Sequence, residues 1–314
     1  EGYHYESRSG FPPPASPSVK KIARELGIDL ARVAGSERGG RVTLEDLKNY
    51  VQHLQQAAYG QRPTAEKAER AEPKSVDFSK WGPVEKKRPS SLRRTVGQRM
   101  VDSWSTIPHI TQLEEADITE LAALRKKYAS SFEKKGTHLT LTPFVLKVVA
   151  AALKKYPVFN SSLDEVTGEI VYKGYFHLGV AVDTEGGLIV PVLRDVDKKN
   201  MREIAAALNE LVEKTRQRKV SLEELQGGTF TISNQGGIGG GFFTPIINKP
   251  EVAVLGLGRS ILKPVVKKGK IKTRMMLPLC LSYDHRLIDG ADAARFMNDL
   301  VQGLESFPEK ELKR

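Results

Sequence analysis

Between residues 57 and 87 the chain holds almost nothing that could build a core. The stretch is rich in Ala, Glu, Lys and Pro and carries no helical or strand-like stripe, so it reads as a linker. A chain of 314 residues interrupted in this way must fold as two bodies, because each side has to bury its own apolar surface. The expected organisation is a linker over 1–15, a small domain over 16–54, a flexible linker over 55–87 and a large domain over 88–314. Phe78 and Trp81 break the linker pattern, which makes VDFSKWG a candidate to dock on a neighbouring surface.

The small domain begins where the Pro run of residues 1–15 ends. Ser16 followed by Pro17 is a helix start, with Ser as N-cap and Pro in the first turn. Val19, Ile22, Ala23 and Leu26 follow at helical spacing, and Gly27 can end the helix. After the loop SERGGR, Thr43 with Asp46 offers a reciprocal cap for a second helix, striped by Leu44, Leu47, Val51 and Leu54. Two short helices around a structured loop make a domain of marginal stability.

From about residue 88 helix and strand patterns alternate. Residues 141–156, 201–218 and 291–304 carry helical stripes. EIVYKG, FHLGVAVD, GLIVPVLRD, GTFTISN, EVAVLGLGR and MMLPLCLSY read as strands. Strands interspersed with long helices predict an α/β sandwich.

Charge and cysteine usage narrow the function classes. Lys and Arg outnumber Asp and Glu by 49 to 38, for a net charge of +11. The basic residues are dispersed and not interleaved with aromatics, so an anionic cofactor or an acidic protein is expected as partner before nucleic acid. No apolar run approaches the roughly 20 residues of a membrane helix. The single cysteine, Cys280, allows no intramolecular disulfide and points to a reducing compartment, a bacterial cytoplasm or a mitochondrial matrix. It lies in the run LPLCLSY and reads as a small core residue. A start at Glu1 is expected of a fragment or processed product.

Two segments can carry chemistry. In SYDHRLIDG, His285 follows an apolar strand and precedes a helix, where an imidazole suited to proton transfer near neutral pH can reach a substrate. A lone loop histidine is more often structural or solvated, so spacing alone does not make it catalytic. In TFTISNQGG, a strand delivers Ser233 into a glycine-rich turn, where a hydroxyl can donate to a developing oxyanion. A polar strand end running into a flexible turn is the plainer alternative. GGIGGG lacks the Gly-Lys-Ser/Thr ending of a phosphate loop. There is no GxSxG elbow, no HExxH or paired Cys/His zinc pattern and no dinucleotide fingerprint.

Taken together the segments resemble a known family. DHRLIDG resembles the HxxxDG signature of the dihydrolipoyl acyltransferases, the E2 components of 2-oxo-acid dehydrogenase complexes, and of chloramphenicol acetyltransferases. FTISNQGGIGG with FFTPIINKPEVAVLGLGR resembles the other conserved block of the E2 catalytic domain, and residues 16–54 resemble the peripheral subunit-binding domain that precedes it. The resemblance runs from Ser16 to the C-terminal end. VDFSKWGPVE, IPHITQLEEADITEL, FNSSL and GVAVDTEGGLIVPVLRDV look most like acetyl-transferring members of bacterial pyruvate dehydrogenase, and succinyl-transferring relatives usually have Thr at the place of Ser233.

The resemblance implies a chloramphenicol-acetyltransferase-like α/β sandwich, a trimeric catalytic domain that builds a core of about 24 or 60 chains. It implies transfer of an acetyl group from acetyl-dihydrolipoyl to coenzyme A, with no metal. His285 matches the general base, Ser233 the oxyanion hydroxyl and Asp289 a carboxylate that holds the loop. The lipoyl group is expected on a domain outside this chain, upstream of it. Lys20 and Arg41 match basic positions that grip the E1 or E3 enzymes, although Lys lacks the bidentate fork of Arg. The alternatives are a succinyl- or branched-chain-specific E2, or a non-catalytic E3-binding scaffold. The scaffold should have lost the histidine or the hydroxyl, and this chain keeps both. An antibiotic acetyltransferase would have no use for the small domain.

Overall fold

A computed structural model gives the structure and describes residues 12–58 and 76–313, with nothing stated for the side chains of 55–58. Most of the segments read as linkers at 1–15 and 55–87 therefore lies outside the described residues. The chain divides into two compact units, one up to Lys86 and one from Lys87 onward.

In the first unit the expected caps form. Helix α1 (Pro17–Glu25) starts on Ser16, whose Oγ accepts from the Val19 N–H, and Gly27 takes the left-handed conformation after its end. Helix α2 (Leu44–Ala58) starts on the predicted reciprocal cap. The Asp46 N–H donates to Thr43 Oγ1 at 3.2 Å, and the Thr43 N–H donates to Asp46 Oδ2 at 2.9 Å. The same carboxylate accepts from the Ser36 N–H and Oγ, both at 3.1 Å, so it ties the intervening loop to the helix. Val19, Ala23, Val33, Val42, Leu47 and Tyr50 form the small core. Phe78 and Trp81 flank a short 3-10 turn with ring centroids 6.2 Å apart, and both are exposed within this chain.

The second unit opens with α3 (Ser91–Thr106), then β1 (His109–Asp117), α4 (Thr119–Glu133) and α5 (Thr142–Lys155). A two-stranded hairpin, β2 (Ser161–Leu163) with β3 (Ile170–Tyr172), precedes β4 (Leu178–Thr184), β5 (Gly187–Ile189) and β6 (Val192–Leu193). Helix α6 (Met201–Arg216), strands β7 (Phe230–Asn234), β8 (Ala253–Leu257), β9 (Ile261–Lys267) and β10 (Lys270–Asp284), and helix α7 (Gly290–Glu305) complete it. The run GLIVPVLRD is split into β5 and β6, because Pro191 has no N–H for the ladder; its carbonyl still accepts from the Val180 N–H at 2.9 Å.

The main sheet runs β1-β10-β8-β7-β4-β5, with β6 also on β4 and β9 also on β10. The β4–β7 and β7–β8 pairs are parallel and the others antiparallel. Helices α4 to α7 pack on one face. Phe230 and Ile232 of β7, Leu255 of β8 and Leu277, Leu279 and Leu281 of β10 meet them in one buried core. Burying each such side chain contributes about 2 kcal/mol. Strict alternation turns Thr231, Ser233, Cys280, Ser282 and Asp284 to the opposite face. That face is covered in part by the chain after α3 and by residues 243–248: Ile107, Ile247 and Val254 form a small core there. Cys280 is buried, as expected, and accepts from the Phe243 N–H at 3.4 Å. Burial pushes its thiol upward, which keeps it a protonated packing group.

Candidate active site

His285 is the first residue beyond β10. The strand ends because Asp284 turns its backbone bonds inward: its carbonyl accepts from the Leu287 and Ile288 N–H groups at 3.1 and 3.0 Å. The His285 N–H donates to the Pro108 carbonyl at 3.1 Å, and the Asp284 N–H to the Val252 carbonyl at 2.9 Å. The backbone of the turn is thus pinned from both neighbouring segments while the imidazole is exposed, 5.9 Å from the Tyr283 ring centroid.

Asp289 occupies the N-cap position of α7 with extended backbone, and its carbonyl accepts from the Ala293 N–H at 3.0 Å. Its carboxylate makes no capping bond and is exposed. The carboxylate that grips the turn within this chain is Asp284. Its side chain is 2% exposed and takes the Arg286 guanidinium as a fork, with Nη2–Oδ2 at 2.7 Å and Nε–Oδ1 at 3.0 Å. The charged letters flanking His285 in DHR were the available sequence signal for this pair, but adjacency alone does not reveal which of them is buried.

A second histidine, His109, is fully engaged. Its Nε2 accepts from the Ile247 N–H at 3.0 Å, so Nδ1 carries the proton and donates to the Ile107 carbonyl at 2.8 Å. With both nitrogens used and the tilted Trp104 ring 5.3 Å away, it is a structural post, and it holds residue 109 opposite Asp284 in the β1–β10 ladder.

Ser233 is half-buried on the open face of β7, beside Ala181 of β4 and Gly256 of β8. Among the described residues no hydrogen bond uses its hydroxyl. The turn after it is built from Asn234, whose Oδ1 accepts from the Gly236 N–H at 2.9 Å and whose Nδ2 donates to Thr142 Oγ1 at 3.2 Å. The glycine-rich loop then crosses Gly258 so closely that a Cβ there would collide with the Gly241 carbonyl oxygen.

The ladder separates the two candidates. Ser233 is in register with Gly256 of β8, and Gly256 with Cys280 of β10. His285 lies five residues beyond Cys280, just past the end of β10, and two strands away, about 17 Å along the strand direction and about 10 Å across it. One chain does not bring the hydroxyl and the imidazole to the same reacting atom. Lys20 on α1 and Arg41 before α2 are both exposed on the small unit. Among the described residues there is no cluster of His, Cys, Asp and Glu fit to hold a metal ion, and no helix long and apolar enough to cross a membrane.

This mixed sheet with helices on one face and a histidine turn at a strand end is a known type. Residues 82–312 match the family described as 2-oxoacid dehydrogenases acyltransferase (catalytic domain), and residues 13–48 match the E3 binding domain. The chain belongs to the 2-oxoacid dehydrogenase acyltransferases, the E2 components, and its small unit is an E3-binding domain. Within that family it is similar to the dihydrolipoyllysine-residue acetyltransferase component of the pyruvate dehydrogenase complex. It is 46% identical over 301 residues to the protein from Cupriavidus necator, covering 93% of this chain and 54% of that one. It is 42% identical over 297 residues to the protein from Staphylococcus aureus, covering 69% of it. The chain therefore spans about half the length of the first of these relatives and about two thirds of the second.

Among solved structures, a study of the roles of a serine, a histidine and an asparagine in the catalytic mechanism of Azotobacter vinelandii dihydrolipoamide acetyltransferase is 46% identical. It superposes with a TM-score of 0.72 over 74% of this chain and 95% of that one. The cubic core of a pyruvate dehydrogenase multienzyme complex is alike to the same extent. The expected mixed α/β acyltransferase domain preceded by a subunit-binding domain is the architecture found.

Proposed function

We propose that the chain is the core acetyltransferase of a pyruvate dehydrogenase complex, transferring an acetyl group from acetyl-dihydrolipoyl to coenzyme A. The observation that carries this reading is positional. Ser233, His285 and Asp289 have the same separations along the sequence as the serine, histidine and asparagine of the Azotobacter study, with Asp in place of Asn at the third. The two matched regions are an acyltransferase and an E3-binding domain, so the dihydrolipoyl arm enters as a substrate.

A free thiol has a pKa of about 8.5 and is mostly protonated at neutral pH. His285 takes the coenzyme A proton as the sulfur attacks the thioester carbonyl, and Ser233 donates to the oxyanion that forms. Collapse of the tetrahedral intermediate expels the dihydrolipoyl sulfur, to which His285 returns the proton. Atoms and charge balance without a metal or redox step. Asp289 holds the histidine loop in the assembled site.

The register distance between Ser233 and His285 supports a site shared between subunits of a trimer, each giving His285 to one site and Ser233 to another. The half-exposed Ile110 and Leu113 on edge strand β1, with Val101 and Trp104 on α3, are apolar surface for such contacts. Trimers would then build a larger core of about 24 or 60 chains. The small unit would recruit E3, and E1 in turn, through Lys20 and Arg41. The lone buried Cys280 and the bacterial relatives support a bacterial cytoplasm.

The deciding assay gives the purified assembly acetyl-CoA and dihydrolipoamide. His285→Ala is expected to lower kcat about a thousandfold, and Ser233→Ala about a hundredfold with KM little changed. Near-normal turnover by His285→Ala would remove the histidine from the mechanism.

A further inference from the structure

The turn that carries His285 is tied to three other parts of the fold by one chain of charges. Asp284, 2% exposed, binds Arg286 through the fork described above. Arg286 then uses its remaining nitrogen, Nη1, to reach Glu165 Oε1 at 3.3 Å. Glu165 Oε2 receives Lys249 Nζ at 2.7 Å. Lys249 also donates to Thr106 Oγ1 at 3.2 Å and lies 3.4 Å from Asp102 Oδ2, both at the end of α3. Glu165 itself stands in the β2–β3 turn, which is held by Asp164 Oδ1 accepting from the Val166 N–H at 2.9 Å, while Ser162 Oγ bonds the Pro250 carbonyl at 2.5 Å.

Two features argue that this chain of charges does more than add stability. The outer pairs are half-exposed, with side-chain exposures of 31% and 38% for Arg286 and Glu165, and 25% for Lys249. Ion pairs of that kind contribute little to folding. The inner pair is different in kind: the buried Asp284 needs a cation, and Arg286 is the one that meets it among the described residues. His285 sits in sequence between these two side chains. With the side chains on both sides of it fixed, the backbone under the imidazole has little freedom left, and the planar guanidinium fixes direction as well as charge. Glu165 closes the arrangement from outside by holding the far edge of that guanidinium.

We infer that Glu165, on the β2–β3 turn, is a positioning residue for His285, acting through Arg286 with Lys249 as its anchor. The inference rests on His285 being the base proposed above. Removing Glu165 leaves the base in place but loosens the turn, so proton transfer slows while substrate binding is little changed. Misplacing a reacting group by less than an ångström is enough for a loss of about tenfold in rate.

The test uses the full chain in its assembled form. Glu165→Gln, which keeps size and loses charge, should lower kcat about tenfold with KM for coenzyme A and dihydrolipoamide within about twofold of wild type. Particle mass and melting temperature should be unchanged. Glu165→Asp should recover part of the loss. Arg286→Lys, which keeps charge but lacks the fork, should also lower kcat, and adding Glu165→Gln to it should cost little more, since both act on one contact. His285→Ala runs alongside. If that variant is active, the reading of His285 as base fails on its own account. If it is inactive while Glu165→Gln turns over like wild type, the positioning role is overturned. It is overturned equally if Glu165→Gln dissolves the particle or lowers its melting temperature, or if its losses multiply with those of Arg286→Lys.

Discussion

Glu251 buries a carboxyl beside the strand that carries Ser233. It is 3% exposed; Oε1 accepts from Asn248 Nδ2 at 3.2 Å, and Oε2 is buried with no hydrogen-bond partner among the described residues. Burial pushes its pKa from 4.5 to about 7, against the hydrogen bonds from Thr231 and Asn248 and the charge of Lys173. The folded carboxyl therefore keeps a proton that the unfolded chain has already lost. By linkage, stability is full below the unfolded value, falls as pH rises from about 4.5 to about 7, and stays at the lower level above that. Glu251→Gln removes the ionisable group and should melt higher than wild type at pH 8, by a free energy on the order of 3 kcal/mol at most, with little difference at pH 4.5. Thermal melts at the two pH values check this; a variant with the wild-type pH dependence would refute it. Nothing in NKPEVAVLG marked Glu251 as buried, because its neighbours across the fold, Thr231 and Lys173, are far away in sequence. His285 and Ser233, in contrast, were legible as candidates, since each lies at a strand end beside turn residues.

At the scale of elements, what was legible followed the strength of local patterns. Helices α1 and α2 announce themselves through caps and stripes, and α5, α6 and α7 through stripes alone, which a dozen residues suffice to write. Helix α3 did not: of its sixteen residues only Ser103 is buried, and it is held through its hydroxyl on the Ile247 carbonyl. Strand β1 was also hidden, because its burial does not alternate cleanly and its pairing is decided by β10. The small helical unit offers its own test. Lys20, Lys21 and Arg24 on α1 and Arg38 and Arg41 in the loop are exposed. Lys20→Ala with Arg41→Ala should abolish capture of purified E3 and E1 in pull-down at low salt, and wild-type capture should weaken steeply as salt rises. Acetyl transfer to free dihydrolipoamide should be unchanged. Retention of both partners by the double variant would place the contact on another surface.

At the scale of the whole molecule, the sheet register makes a prediction that no single chain can satisfy. If each site takes His285 from one copy and Ser233 from another, inactive His285→Ala and weakly active Ser233→Ala chains should complement when co-assembled. Random mixing in equal amounts restores about a quarter of the sites, because a site needs both native contributors. Activity of the mixture no greater than the average of the two separate assemblies would mean that each chain completes its own site.

The sequence by itself determined the division into two bodies, the helix caps, the periodic elements and the short segments around His285 and Ser233. All of these depend on interactions between residues a few positions apart. The tertiary structure alone decided that Asp284 and not Asp289 carries the ionic grip on the turn in this chain. It also brought Glu165, Lys249 and Asp102 from distant segments to that turn, and set Ser233 and His285 toward opposite ends of the sheet. Those outcomes depend on strand register and on which charges are left without water. Both are settled by contacts between residues far apart in the chain, where the order of the letters holds no local trace of them.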